Sequence, residues 1–139
     1  MKANELRIGN IVNLKDHFVG GKVKVTGIMK DRITAVNSAG TNIDSINIMY
    51  VEPIPISEEL LIKIGFSKIP RERCVASGWI PAYTLRKGYS YIDVHLWESG
   101  TLIRIEDSIR QVSLPKTPYL HQLQNAYYMV ANKELEINL

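Results

Sequence analysis

A single cysteine, Cys74, stands among 139 residues. One thiol excludes an intrachain disulfide framework and any multi-cysteine zinc site. Long apolar runs are also missing, and no stretch approaches the ~20 apolar residues of a membrane helix. Near the N-terminus Glu5 and Arg7 interrupt any run that could serve as the core of a secretory signal. The closing residues, Glu134 to Leu139, carry no lipidation box or retention signal. Three histidines, His17, His95 and His121, show no H-x-x-x-H spacing, and no C-x-x-C pattern joins them. No metal site is expected on that basis, and no cofactor. Gly20-Gly21-Lys22 lacks the G-x-x-x-x-G-K-S/T frame of a phosphate loop and reads as a hairpin turn. No internal repeat or low-complexity tract is visible. These absences predict a cytoplasmic globular protein without membrane association.

What remains is ordinary globular composition, 45% hydrophobic and 22% charged, with a net charge of +3. The length suggests one domain or two very small ones. Residues 1–54 read as short strands. Leu6, Ile8, Ile11, Val12 and Leu14 make the first apolar stretch, with Gly9 as a bend. Val23 and Val25 alternate with Lys22 and Lys24, Lys30-Asp31 turns the chain, Ile33 to Val36 follows, and Ile43, Ile46 and Ile48 to Val51 close the set. This spacing predicts a small SH3-like β-barrel. Pro53 and Pro55 mark a seam, because proline cannot donate to a ladder. Residues 55–139 then read as an α+β unit, separate or packed as one continuous domain with the first. Ser57 caps a short helix over 58–64 that Gly65 ends. Residues 67–90 look loop-rich. An antiparallel β-meander follows over Tyr91 to Trp97, Thr101 to Ile105 and Ile109 to Val112. Thr117-Pro118 starts a second helix over roughly 118–131, with Leu120, Leu123, Tyr127 and Val130 as its apolar stripe and Asn132 just beyond its end. Leu135 and Ile137 alternate with Glu134, Glu136 and Asn138 as a final strand. The fold class is α+β, rich in β.

Three segments carry a resemblance. They are Leu6-Arg7-Ile8-Gly9-Asn10, the run from Pro53 through Ser57-Glu58-Glu59-Leu60-Leu61 to Gly65-Phe66, and Tyr119-Leu120-His121-Gln122-Leu123-Gln124-Asn125-Ala126-Tyr127-Tyr128. Together they resemble a family of short bacterial proteins found in prophage and mobile-element neighbourhoods, which has no assigned activity. The resemblance implies a bacterial or phage setting and transfers no catalytic residue.

Charge is unevenly spread. Between residues 63 and 91 stand Lys63, Lys68, Arg71, Arg73, Arg86 and Lys87 against Glu72 alone, a net +5 that leaves −2 for the rest. Trp79, Tyr83, Tyr89 and Tyr91 lie in the same stretch. Cations attract phosphates and aromatic faces stack on unpaired bases, so Lys68, Arg71, Arg73, Trp79, Tyr83, Arg86 and Lys87 form a candidate nucleic-acid contact. The plainer reading is a solvated basic loop anchored to the core by its aromatics. On the second helix His121, Gln124, Asn125 and Tyr128 form a candidate partner-binding set. Alternatively they bond a neighbouring sheet and fix the helix register. Asp93 and His95 share a strand face, a spacing compatible with metal binding or with a base and its orienter.

Three function classes follow. The first is a non-enzymatic binding module contacting nucleic acid or a protein partner. The second is a phage-like structural or assembly protein acting by homo-oligomerisation. The third is an enzyme using Asp93, His95 and His121.

Overall fold

The computed structural model describes residues 1–15, 21–70, 82–97, 100–116 and 119–138. Among these residues lie ten strands in two antiparallel sheets and two α-helices. The chain divides into two compact units. One comprises Met1–Pro55, Tyr119–Asn125 and Ile137–Leu139, and the other Ile56–Pro118 and Ala126–Glu136. The division after Pro55 falls at the proline seam. The later segments go to both units, so helix residues 119–125 belong with the N-terminal strands.

The N-terminal unit is a curled five-stranded half-barrel. Its strands are β1 (Ile11–Leu14), β2 (Lys22–Ile28), β3 (Arg32–Asn37), β4 (Asn42–Asn47) and β5 (Val51–Glu52), in the order β4-β3-β2-β1-β5. Inward positions supply Val12, Leu14, Val23, Val25, Ile33, Ala35, Ile46 and Val51, with Leu6 joining them. The lysines of β2 alternate with these valines, as a half-buried strand requires. The first apolar stretch is only partly a strand. A 3-10 turn occupies Ala3–Glu5, Leu6 is buried, and Ile8 points outward. Asn37 organises the β3–β4 loop by accepting from the N–H groups of Ala39 and Thr41 through Oδ1.

In the second unit Ser57 Oγ accepts from Leu60 N at 3.2 Å and opens α1 (Glu58–Lys63). Gly65 closes it at φ +101°, where a side chain would be strained. Gly65 N donates to Ile62 O and Phe66 N to Leu61 O, the paired bonds of a Schellman ending. The second sheet orders β10-β9-β8-β7-β6, with β6 (Ser67–Lys68), β7 (Ala82–Lys87), β8 (Ser90–Trp97), β9 (Gly100–Glu106) and β10 (Gln111–Pro115). Leu85, Ile92, Ile105 and Val112 run across it in register, and Tyr83, Val94, Ile103 and Leu114 form the next inward row.

Three expectations need correction. The stretch 67–90 is not all loop, because β6 and β7 lie in it and Tyr83 and Leu85 alternate inward. The last meander strand starts at Gln111 rather than Ile109. Asp107 Oδ1 takes the N–H groups of Ile109 and Arg110 at 2.8 and 2.6 Å and commits both to the turn. Residues 134–138 are not a strand, although Leu135 is buried and Glu134 and Glu136 exposed. Alternation there records which side is covered, and no ladder partner accompanies it. The second helix, α2, spans Leu120–Ala131. Its stripe Leu120, Leu123, Tyr127 and Val130 is buried as expected. Thr117 and Pro118 lie outside the described residues.

Candidate functional site

Gln124 and Asn125 of α2 meet residues near the start of the chain, between Glu5 and Ile11. Gln124 Oε1 accepts from Ile11 N at 2.9 Å while its Nε2 donates to Gly9 O at 3.2 Å. Asn125 Nδ2 donates to Glu5 O at 3.0 Å, and its Oδ1 accepts from Asn10 Nδ2 at 2.9 Å. Asn10 Oδ1 in turn accepts from Arg7 N at 2.8 Å. The stretch Leu6 to Asn10 and the stretch Tyr119 to Tyr128 thus bond each other across 115 residues. Asn10 is 0% exposed, so its amide must be satisfied internally, and this network does so. For Gln124 and Asn125 the geometry is that of groups fixing helix register.

His121 sits one turn earlier, 2% exposed, with its ring stacked on Tyr119 at 5.9 Å between centroids. Among the described residues its Nδ1 has no hydrogen-bond partner. Burial pushes its pKa below the ordinary imidazole value. The nearby Glu5 carboxylate opposes that shift and the N-terminal ammonium adds to it. Tyr128, the fourth of the set, is half-buried.

Of the residues expected to contact nucleic acid, Arg71, Arg73 and Trp79 lie outside the described residues. Tyr83 is buried, and its hydroxyl donates to Glu58 Oε2 at 2.7 Å. Lys68 Nζ donates to Glu58 Oε1 at 3.2 Å and lies 5.8 Å from the Tyr83 ring centre. The Tyr83 and Lys68 hydrogen bonds hold the Glu58 carboxyl below its ordinary pKa. Burial, reinforced by Glu58, pushes the Tyr83 phenol up to about 12. A ring enclosed in this way offers no face to a base. Lys68, Glu58 and Tyr83 join α1 to the sheet.

Arg86 and Lys87 are exposed at the end of the β7–β8 hairpin. Gly88, at φ +61°, opens the two-residue turn that joins these strands. Arg86 Nε donates to Gly88 O at 3.2 Å, and its guanidinium lies 5.2 Å from the ring centre of Tyr91 across the ladder. At this separation a cation is attracted to the face of the ring. Tyr89 at the tip is 84% exposed and Tyr91 45%. Next along the row, Glu106 faces Tyr91, but Arg104 Nη2 engages its carboxylate at 3.3 Å. The hairpin therefore presents two cations and two aromatic rings on a rigid ladder.

No family model, no curated protein and no solved structure matches the chain. Asp93 and His95 are half-buried on the sheet face opposite Ile92 and Val94. Asp93 is in register with Arg104, and His95 with Leu102. His121 belongs to the other unit. Among the described residues no group of three His, Cys, Asp or Glu side chains could hold a metal ion. No helix among them is long and apolar enough to cross a membrane.

From the sequence Tyr89 and Tyr91 read as aromatics of the basic stretch and are missed as members of the candidate contact. The signal that would have promoted them is the Lys87-Gly88-Tyr89-Ser90 turn, which puts Tyr89 at a hairpin tip. Asn10 was likewise missed as a partner of α2. Its signal was an amide placed between a glycine bend and an apolar strand.

Proposed function

We propose that the protein is a non-enzymatic binding module whose ligand is single-stranded nucleic acid, taken on the β7–β8 hairpin. The carrying observation is Tyr89, 84% exposed, beside the Arg86–Tyr91 stack and Lys87. Exposed rings supply stacking that tolerates any sequence, and adjacent cations supply phosphate attraction. The tight turn and cross-strand pairing hold these groups before a ligand arrives, so little side-chain order is lost on binding.

The N-terminal half-barrel is, in the same proposal, SH3-like. The order β4-β3-β2-β1-β5, with a 3-10 turn at Ile48–Tyr50 before the last strand, supports that reading. Fold alone assigns no ligand. The proposed setting is a bacterial mobile element or phage, on the resemblance of the three segments.

Fluorescence anisotropy with a labelled, mixed-sequence single strand tests the proposal. If Arg86 and Lys87 each neutralise one phosphate, the slope of log K against log salt is about −1.4. Tyr89→Ala is expected to weaken binding about tenfold, within the usual value of one base–aromatic stack. Undetectable binding at low salt, or binding indifferent to Tyr89→Ala and Arg86→Ala, would overturn it.

A second reading, homo-oligomeric assembly, rests on Ile109, 90% exposed at the β9–β10 turn, and Met129 on α2. Arg110 Nη1 donates to Met129 O at 3.3 Å and brings the two elements together. Light scattering over a concentration series distinguishes this reading: a strict monomer sinks it.

A further inference from the structure

A cleft of about 340 Å³ opens beside the same hairpin, lined by Lys87, Gly88, Tyr127 and residues 133–136. That volume lies at the lower end of small-molecule sites, room for one nucleotide. All its walls come from the second unit. Asn132, at φ +52°, turns the chain after α2, its N–H donating to Tyr128 O at 2.8 Å. Buried Leu135 then anchors the segment, so that Lys133 and Glu136 are placed on the rim by a fixed backbone. On the opposite side, a side chain built at Gly88 would meet nothing within 4 Å, which leaves the turn open towards solvent.

The chemistry of the rim is mixed. Lys87 and Lys133 bring ammonium groups suited to a phosphate. Glu134 and Glu136 bring exposed carboxylates, groups that repel phosphate but accept hydrogen bonds from a base edge. Glu134 already interacts within the protein, which leaves Glu136 as the carboxylate to meet a base. A plain anion would gain little from such a rim. A nucleotide matches it, because it carries a phosphate at one end and amine donors at the other. The bases differ in the edge they offer: cytosine has the N4 amine where thymine has the O4 carbonyl. A carboxylate accepts from the first and repels the second.

Resting on the nucleic-acid reading above, we infer that this cleft takes one nucleotide of the bound strand. Lys87 and Lys133 hold its phosphate, and Glu136 favours cytosine over thymine by accepting from the N4 amine. The floor is formed by Tyr127, which is buried among the core residues of α2 and contributes shape rather than an exposed stacking face. Tyr89 remains the stacking ring for the neighbouring base. The selective contact and the sequence-tolerant contact are thus on different residues and can be separated by mutation.

The test measures anisotropy with oligo(dC) and oligo(dT) of equal length, at one salt concentration and neutral pH. Oligo(dC) is expected to bind about 3- to 10-fold tighter, the scale of one good base-edge contact. Glu136→Ala is expected to bring that ratio to about 1. The ratio is the readout, because removing a carboxylate raises affinity for both strands by a common electrostatic factor. Lys133→Ala should weaken both strands equally. Both substitutions are at exposed positions, and circular dichroism checks that the fold is retained. Equal affinities in the parent chain, or a preference that survives Glu136→Ala, would overturn the inference while leaving the hairpin reading standing. Absence of binding to either strand would overturn both.

Discussion

Gln124→Leu removes the middle of the amide network without leaving a large cavity. Two bonds go: the one from Ile11 N, which is buried, and the one to Gly9 O, which is partly buried. A buried N–H left without an acceptor costs about 1–3 kcal/mol, and the carbonyl adds less because water reaches it. The added apolar burial of leucine offsets about 1 kcal/mol. A net loss of roughly 1–3 kcal/mol follows, a fall in Tm of roughly 3–12 °C for a chain of this size. Gln124→Glu sharpens the test. One carboxylate oxygen keeps the Ile11 N–H, while the other faces the Gly9 carbonyl, acceptor against acceptor. Protonation restores a donor, so the introduced carboxyl has a raised folded-state pKa. Its stability contribution is complete below the unfolded value of about 4.3 and is lost as pH rises through the folded value. Urea denaturation followed by circular dichroism should therefore show Gln124→Glu near the parent at pH 4 and well below it at pH 7. A constant difference across that range, or Gln124→Leu within 0.5 kcal/mol of the parent (about the scatter of surface changes), would refute the reasoning.

Two further outcomes follow from the same structure. The lowered pKa of His121 means that the unfolded chain takes up a proton before the folded chain does. This term is complete above the ordinary value of 6.5 and is lost as pH falls below it. His121→Leu should flatten the stability profile between pH 7 and 5. A profile parallel to the parent's would show that His121 titrates without strain. Gly65→Ala forces a side chain into a left-handed conformation with Leu85 Cδ1 3.8 Å from the new Cβ. A loss of about 1 kcal/mol in urea titrations is expected, and no loss would mean that the α1 ending relaxes freely.

Much of the fold was legible because local rules and burial agreed. Ser57 and Gly65 bracket α1 by capping chemistry that needs no tertiary information, and the β2 valines and lysines alternate because one face is covered. The α2 stripe was legible for the same reason. Legibility failed where the deciding partner is distant in sequence. The sequence allows Gln124 and Asn125 to fix the helix register, but it does not show that Gly9, Asn10 and Glu5, 115 and more residues away, are the groups they bond. Tyr83 looks like a stacking ring until Glu58 takes its hydroxyl. Alternation at 134–138 marked the buried Leu135 correctly and still misread the backbone, because a strand also requires a ladder partner. The hairpin site was half legible: composition located the basic aromatic stretch, but register was needed to put Arg86 over Tyr91 and leave Tyr89 exposed.

The most direct test of the central claim is photo-crosslinking of a single strand carrying a photoreactive thymine analogue, followed by mass spectrometry of the tryptic peptides. The hairpin account expects adducts on residues 86–91, chiefly at Tyr89 and Tyr91, that diminish as salt is raised. Adducts concentrated elsewhere, or a bound strand that leaves this peptide unmodified, would contradict it.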